Sequence, residues 1–130
     1  MNNEFYEIVE RICDQDPRYR REAYEFVMES LTFTQRKLKR SKHVSGPELL
    51  KGIQLLLLEK FGPMTLTVLK HWGIENTEDF GNIVFNLVEH KVLSKTEDDK
   101  HEHFLNGFDF KEVFEHKYRH SLAKKISRMR

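Results

Sequence analysis

Residues 45–90 carry helix start and stop signals at four places, and these constrain the fold more than any other feature of the chain. Ser45-Gly46-Pro47-Glu48 has the spacing of a capping box. The serine hydroxyl accepts a backbone N–H of the first turn, and the glutamate three residues on reaches back to the cap. Gly62-Pro63 stops that helix near residue 61: glycine supplies a left-handed cap, and proline suits the opening of the next helix. Gly73 ends a short helix over about 63–72. Asn76, with Asp79 three residues later, opens a helix from 77. There Phe80, Ile83, Val84, Leu87 and Val88 keep the 3.6-residue period without error. The 47–61 helix holds Leu49, Leu50, Ile53 and the run Leu55-Leu56-Leu57-Leu58. Leucines on every side predict that it is the most buried helix.

The flanking segments extend this pattern. Phe5, Ile8, Val9 and Ile12 recur on one helical face. Asp16-Pro17 then reads as the cap and first position of a second helix over about 17–40. Tyr24, Val27, Met28, Leu31 and Leu38 form one stripe on it, and Tyr19, Phe26 and Phe33 another. Two stripes predict a central strut that touches two neighbours. After His90-Lys91, the short, partly β-branched Val92-Leu93-Ser94-Lys95-Thr96, the polar tip Glu97-Asp98-Asp99-Lys100 and the return His101-Glu102-His103-Phe104-Leu105 read as a β-hairpin. Asp109 and Glu112 then open a sixth helix. Gly52 and Gly81 lie inside helices, where each costs about 1 kcal/mol relative to alanine. Close approach of another element explains them better than an open groove.

The expectation is therefore a mainly α fold with a small β-hairpin. Six helices form a single domain over 1–118, followed by a basic tail over 119–130. The order over about 46–108 is helix, short helix, tight turn, longer helix, hairpin wing, which is winged-helix-like. A first winged-helix strand between the first two of these helices is absent or almost so.

Composition narrows the function classes. Lys and Arg total 22 against 21 Asp and Glu, a net charge of +1, so no overall field favours nucleic acid or membrane. No apolar stretch approaches about 18 residues, and no membrane association is expected. Ten Phe, four Tyr and one Trp oppose disorder. Met1-Asn2-Asn3-Glu4 runs straight into an amphipathic pattern, with no basic and then apolar leader. Cys13 is the only cysteine and builds no disulfide framework. The expected location is cytoplasmic.

A set of motifs spans most of residues 5–115. It comprises Asp16-Pro17-Arg18-Tyr19, Ala23-Tyr24-Glu25-Phe26-Val27, His43-Val44-Ser45-Gly46-Pro47-Glu48-Leu49-Leu50 and Phe61-Gly62-Pro63-Met64. It continues with Trp72-Gly73-Ile74, the run from Thr77 to Glu89, and Gly107-Phe108-Asp109-Phe110. As a set it resembles an uncharacterised bacterial family of small single-domain proteins of about this length. That resemblance implies one domain and brings no functional residues with it.

Candidate chemistry follows from residue type. A groove-reading helix needs Arg, Lys, Asn or Gln aimed at base edges and cations for phosphates. Residues 77–90 instead hold Glu78, Asp79 and Glu89, with no Lys or Arg. Weak, sequence-tolerant nucleic-acid binding stands as the alternative function. It would use Arg36, Lys37, Lys39, Arg40 and Lys42 together with Lys117, Arg119, Lys124, Lys125, Arg128 and Arg130. His101 and His103, with Glu112, His116 and His120 at intervals of four, have metal-ligand spacing. A histidine-rich surface explains them better, and neither metal nor cofactor is expected. No phosphate-cradling glycine loop and no nucleophile motif is present. The leading expectation is a non-enzymatic protein-interaction domain. Its face would combine the fifth helix, the hairpin and nearby aromatics within an acidic rim of Glu75, Glu78, Asp79, Glu97, Asp98 and Asp99. A basic partner, or the basic clusters of a second copy, would meet that rim.

Overall fold

A computed structural model of the chain describes residues 3–39, 44–94, 101–105 and 107–117. Five α-helices occur among them: α1 (Asn3–Gln15), α2 (Arg21–Leu38), α3 (Gly46–Phe61), α4 (Thr65–Trp72) and α5 (Thr77–Glu89). A 3-10 turn, Gly62–Met64, joins α3 to α4. A second, His101–Phe104, lies against α5 and α3. No described helix is long and apolar enough to cross a membrane.

The start and stop signals act where the sequence places them. Ser45 Oγ accepts from Glu48 N–H at 3.2 Å, and the Glu48 carboxylate accepts from Ser45 N–H at 3.0 Å. Asn76 and Asp79 form the same reciprocal pair at the start of α5. Gly73 closes α4 in the left-handed region with φ +84°, and a Cβ there would meet Arg18 O at 2.3 Å. Both its conformation and its neighbour require glycine.

The hub is α2, which packs against α1, α3, α4 and α5, four neighbours where two stripes predicted two. Its buried residues are Ala23, Tyr24, Phe26, Val27, Ser30 and Thr34. Where α2 crosses α3, Gly52 is buried against Thr34, and a Cβ on Gly52 would sit 1.8 Å from Thr34 Oγ1. Gly81 carries the ring of Phe104 in the same way. Phe26, Phe61 and Trp72 cluster with centroids 5.3–6.1 Å apart where α2, α3 and α4 meet. In α5, Phe80, Gly81, Ile83 and Leu87 are buried, while Glu78 and Glu89 face water.

The structure corrects four expectations. First, α2 begins at Arg21, not 17, and Asp16 does not cap it. The Asp16 carboxylate is taken by Arg18, whose N–H and guanidinium both donate to it, so the chain turns there before helix begins. Second, Leu55 points outward and is 41% exposed, so the leucine run does not bury every side of α3. Third, no strand occurs among the described residues. After α5 the backbone wraps back instead of extending: Lys91 adopts φ +62°, and Val92 and Leu93 N–H both return to Leu87 O. The expected return strand is the 3-10 turn His101–Phe104, because the Phe104 ring packs on Gly81 and its carbonyl is taken by the Thr77 hydroxyl. The helix order α3, α4, α5 is present without a described wing. Fourth, the expected sixth helix is not an α-helix. Asp109 Oδ1 accepts from Glu112 N–H at 2.8 Å, as a cap should, but a π-helical segment, Glu112–Lys117, follows. It accompanies the turning-in of Phe110, Val113 and Phe114, all buried.

Candidate functional site

The α4–α5 connection and the first turn of α5 form one wall of a groove of about 330 Å³, through Glu75, Asn76, Thr77 and Glu78. Leu105, Phe108, Asp109 and Phe110 form the other wall. Thr77 holds the two walls together. Its hydroxyl donates to Phe104 O at 2.5 Å and accepts from Gly107 N–H at 2.9 Å. The threonine is buried and makes both bonds, so the loop is fixed to the helix start rather than draped over it.

The floor and rim differ in chemistry. Phe108 is half-buried and packs on Phe110 and Phe114 with centroids 5.6 and 5.7 Å away, which fixes its ring. Leu105 is 44% exposed. Glu75, Glu78 and Asp109, all exposed, place three carboxylates around this apolar floor.

Asp79 belongs to a different structure. Its carboxylate accepts from Glu75 N–H at 2.7 Å, Asn76 N–H at 3.2 Å and Tyr19 O–H at 2.5 Å. It is a joint between α5 and the α1–α2 corner, not a docking charge. The Tyr19 hydroxyl oxygen, Oη, in turn accepts from Asn82 Nδ2 at 2.8 Å. One turn further on, Asn86 Nδ2 donates to Asp16 Oδ2 and to Tyr24 Oη, each at 3.0 Å. This polar seam ties α5 to the α1–α2 corner and to α2.

Electrostatics in the seam are set by its hydrogen bonds and burial. The Arg18 guanidinium beside Asp16 holds that carboxyl well below its usual range, outweighing a smaller opposing effect of burial. Burial pushes the Tyr24 hydroxyl up to about 12 and the Tyr19 hydroxyl further still. Burial also raises the Cys13 thiol, so Cys13 lacks the activation a nucleophile needs.

The Asp16 shift gives a signed expectation. A carboxyl held below its unfolded value of 3.8 contributes stability that is complete above that pH and is lost as pH falls below it. Near neutral pH, Asp16→Asn is expected to destabilise the protein by on the order of 1 kcal/mol. The gap between variant and parent should close as pH drops below 3.8. Chemical denaturation across that range measures it, and a pH-independent gap would remove Asp16 from the account.

The remaining sequence candidates divide. Arg36 and Lys37 lie exposed in the last turn of α2, and Lys39 caps it in the left-handed region. Lys37 also stands 5.4 Å over the Phe33 ring. Cations there answer the negative end of the helix. Arg40, Lys42, Glu97, Asp98, Asp99, His120, Lys124 and Lys125 lie outside the described residues. The backbones of His101 and His103 belong to the 3-10 turn, and that of His116 to the π-helical segment. Among the described residues, no group of three His, Cys, Asp or Glu side chains could hold a metal ion.

Sequence reasoning placed Leu105 on the expected face only as part of the hairpin and Phe108 only as a nearby aromatic, and it did not single out Asp109 as a groove residue. Their signal was the sequence Gly107-Phe108-Asp109-Phe110, an acid between two rings just after a turn. No protein-family model matches the chain, no curated protein matches it, and no solved structure matches it.

Proposed function

We propose that the protein is a non-enzymatic interaction domain whose groove binds a basic segment of a protein partner carrying one apolar anchor. One observation carries this reading: three exposed carboxylates, Glu75, Glu78 and Asp109, surround an apolar floor on which Leu105 is 44% exposed. An aliphatic or aromatic side chain seated on Leu105 and Phe108 removes apolar surface from water, at about 25 cal/mol per Å². Lys or Arg on either side of it meets the carboxylates, which raises the association rate and rejects acidic competitors. The groove volume suits one anchor side chain, not an extended apolar ligand.

Two comparisons within the molecule support this choice. A wider depression of about 580 Å³ between α1, α2 and α3 is lined by Glu25, Glu29 and Arg36, so it offers no single-sign field. The α3–α4–α5 order also supports a winged-helix-like half with α5 in the place of a reading helix. Yet α5 carries no Lys or Arg, and its exposed Glu78 and Glu89 repel a phosphate backbone. Nucleic-acid binding through Arg36, Lys37 and Lys39 draws on a smaller base, since those cations answer the end of α2.

The test is fluorescence anisotropy with a labelled peptide of Lys and Arg around a single Leu. Binding is expected near the micromolar range, weakening with salt. Glu75→Lys combined with Glu78→Lys is expected to lower affinity by at least about tenfold and to change folding stability by no more than about 0.5 kcal/mol. Unchanged binding by that variant would overturn the assignment of the groove.

A further inference from the structure

We infer that the anchor side chain this groove takes from its partner is a dimethylated lysine, with its two methyl groups on the floor of Phe108 and Leu105 and its one N–H held by a rim carboxylate. The inference rests on the reading of the groove given above and narrows it to one side chain.

The rim acids are uncommitted. Among the described residues, the side chains of Glu75 and Glu78 make no hydrogen bond or ion pair, and Asp109 uses only Oδ1, which accepts from Glu112 N–H. Other carboxylates are spent: that of Asp16 on Arg18, that of Glu29 on Lys60, and that of Asp79 on Tyr19 and two backbone N–H groups. The remaining side-chain oxygens of the groove are spent as well. Thr77 Oγ1 serves Phe104 O and Gly107 N–H, and Asn76 Oδ1 accepts from Asp79 N–H. No Lys, Arg or His lines the groove. Its side chains therefore offer a ligand carboxylate acceptors of one charge. Beside them lie two rings, Phe108 and Phe110, with centroids 5.6 Å apart and planes tilted by 45°.

Other anchors answer only part of this lining. An aliphatic anchor covers the rings and leaves the carboxylates to flanking Lys or Arg, whose charged heads stay in water. An unmodified lysine answers the carboxylates, but its ammonium is a compact, strongly hydrated point charge, and an apolar floor strips that water. Methylation keeps the charge and surrounds it with apolar surface. Methyl groups that carry part of a positive charge are attracted to ring faces. The two walls set the degree of methylation. Both rings belong to one wall, and Glu75 and Glu78 to the other. Two methyl groups meet the rings, and the remaining N–H makes a charge-assisted hydrogen bond across the groove. A third methyl group removes that donor.

Fluorescence anisotropy on the full chain tests this. The central Leu of the labelled Lys/Arg peptide is replaced in turn by lysine, dimethyl-lysine, trimethyl-lysine and a neutral isostere with carbon in place of the ammonium nitrogen. The dimethyl peptide is expected to bind about tenfold more tightly than the lysine peptide, and about fivefold more tightly than the isostere or the trimethyl peptide. Phe108→Leu keeps an apolar floor without the ring, and it is expected to cut the preference for dimethyl-lysine over lysine to about twofold. Equal affinity for lysine and dimethyl-lysine overturns the inference. So does an isostere or a trimethyl peptide that binds as tightly as the dimethyl one, or an unchanged preference in Phe108→Leu. In each of these cases, binding of the Leu peptide leaves the groove standing as a site for basic segments. No binding by any peptide, Leu included, overturns the groove reading itself and this inference with it.

Discussion

Replacing Gly52 with valine is expected to lower the stability of the protein by about 3 kcal/mol, read as a shift in the denaturation midpoint. The α2–α3 crossing leaves no room for a side chain: a Cβ on Gly52 falls 1.8 Å from Thr34 Oγ1. The obstructing atom is not the free end of a flexible side chain. Thr34 is buried, and its hydroxyl donates to Ser30 O at 2.7 Å. Rotating it away breaks a buried hydrogen bond, and separating the helices opens the packing of Phe26 on Phe61 and Trp72. Removing a helical glycine returns no more than about 1 kcal/mol, too little to offset this. Thr34→Ala in the same background should recover a large part of the loss. Strict additivity of the two changes would place the obstruction elsewhere.

Asp79→Ala is expected to cost a similar amount, about 3 kcal/mol, for a different reason. The substitution removes the reciprocal half of the α5 capping box, which leaves the N–H groups of Glu75 and Asn76 without that carboxylate. A lost cap costs about 1 kcal/mol. It also takes the acceptor from the hydroxyl of Tyr19, a side chain only 3% exposed, and a stranded buried donor costs about 1–3 kcal/mol. Tyr19→Phe should therefore cost less in the Asp79→Ala background than in the parent, the remainder being the bond that the hydroxyl accepts from Asn82. Glu78→Ala, one residue away and exposed, is the control and should stay within about 0.5 kcal/mol. Equal losses from the two acids would mean that Asp79 acts through charge alone.

What the sequence makes legible is what is decided within a few residues. The two capping boxes, the glycine terminator at Gly73 and the inward stripe of α5 are local, and each was readable from spacing. Gly52 and Gly81 were readable as points of close approach, although not which partner approaches. Distant partners decide the rest. Asp16-Pro17 has the form of a helix cap, yet Arg18 and Asn86 take the carboxylate, the second from seventy residues away. The β-branched character around residue 92 suggested a strand, but the carbonyl of Leu87 draws the chain back. In the candidate site, Glu75 and Glu78 were legible as surface acids. Asp79 was not separable from them, because an acid that caps a helix and an acid that awaits a partner look alike in sequence. The groove's second wall was hidden because it exists only once Thr77 pins Phe104 and Gly107.

The corner between α1 and α2 is clasped to the corner between α4 and α5. Tyr19, Tyr24 and Asp16 find their partners 60 to 70 residues later, and Arg20 N–H donates to Trp72 O. Closing so large a loop demands chain entropy before any contact rewards it. During synthesis, the first three helices can emerge and collapse, but Tyr19 and Tyr24 stay without their α5 partners until that helix leaves the ribosome. Completion of the native state thus waits on translation of the second half of the gene, and a polypeptide stalled before residue 79 would present an unfinished, sticky surface to the cell's chaperones.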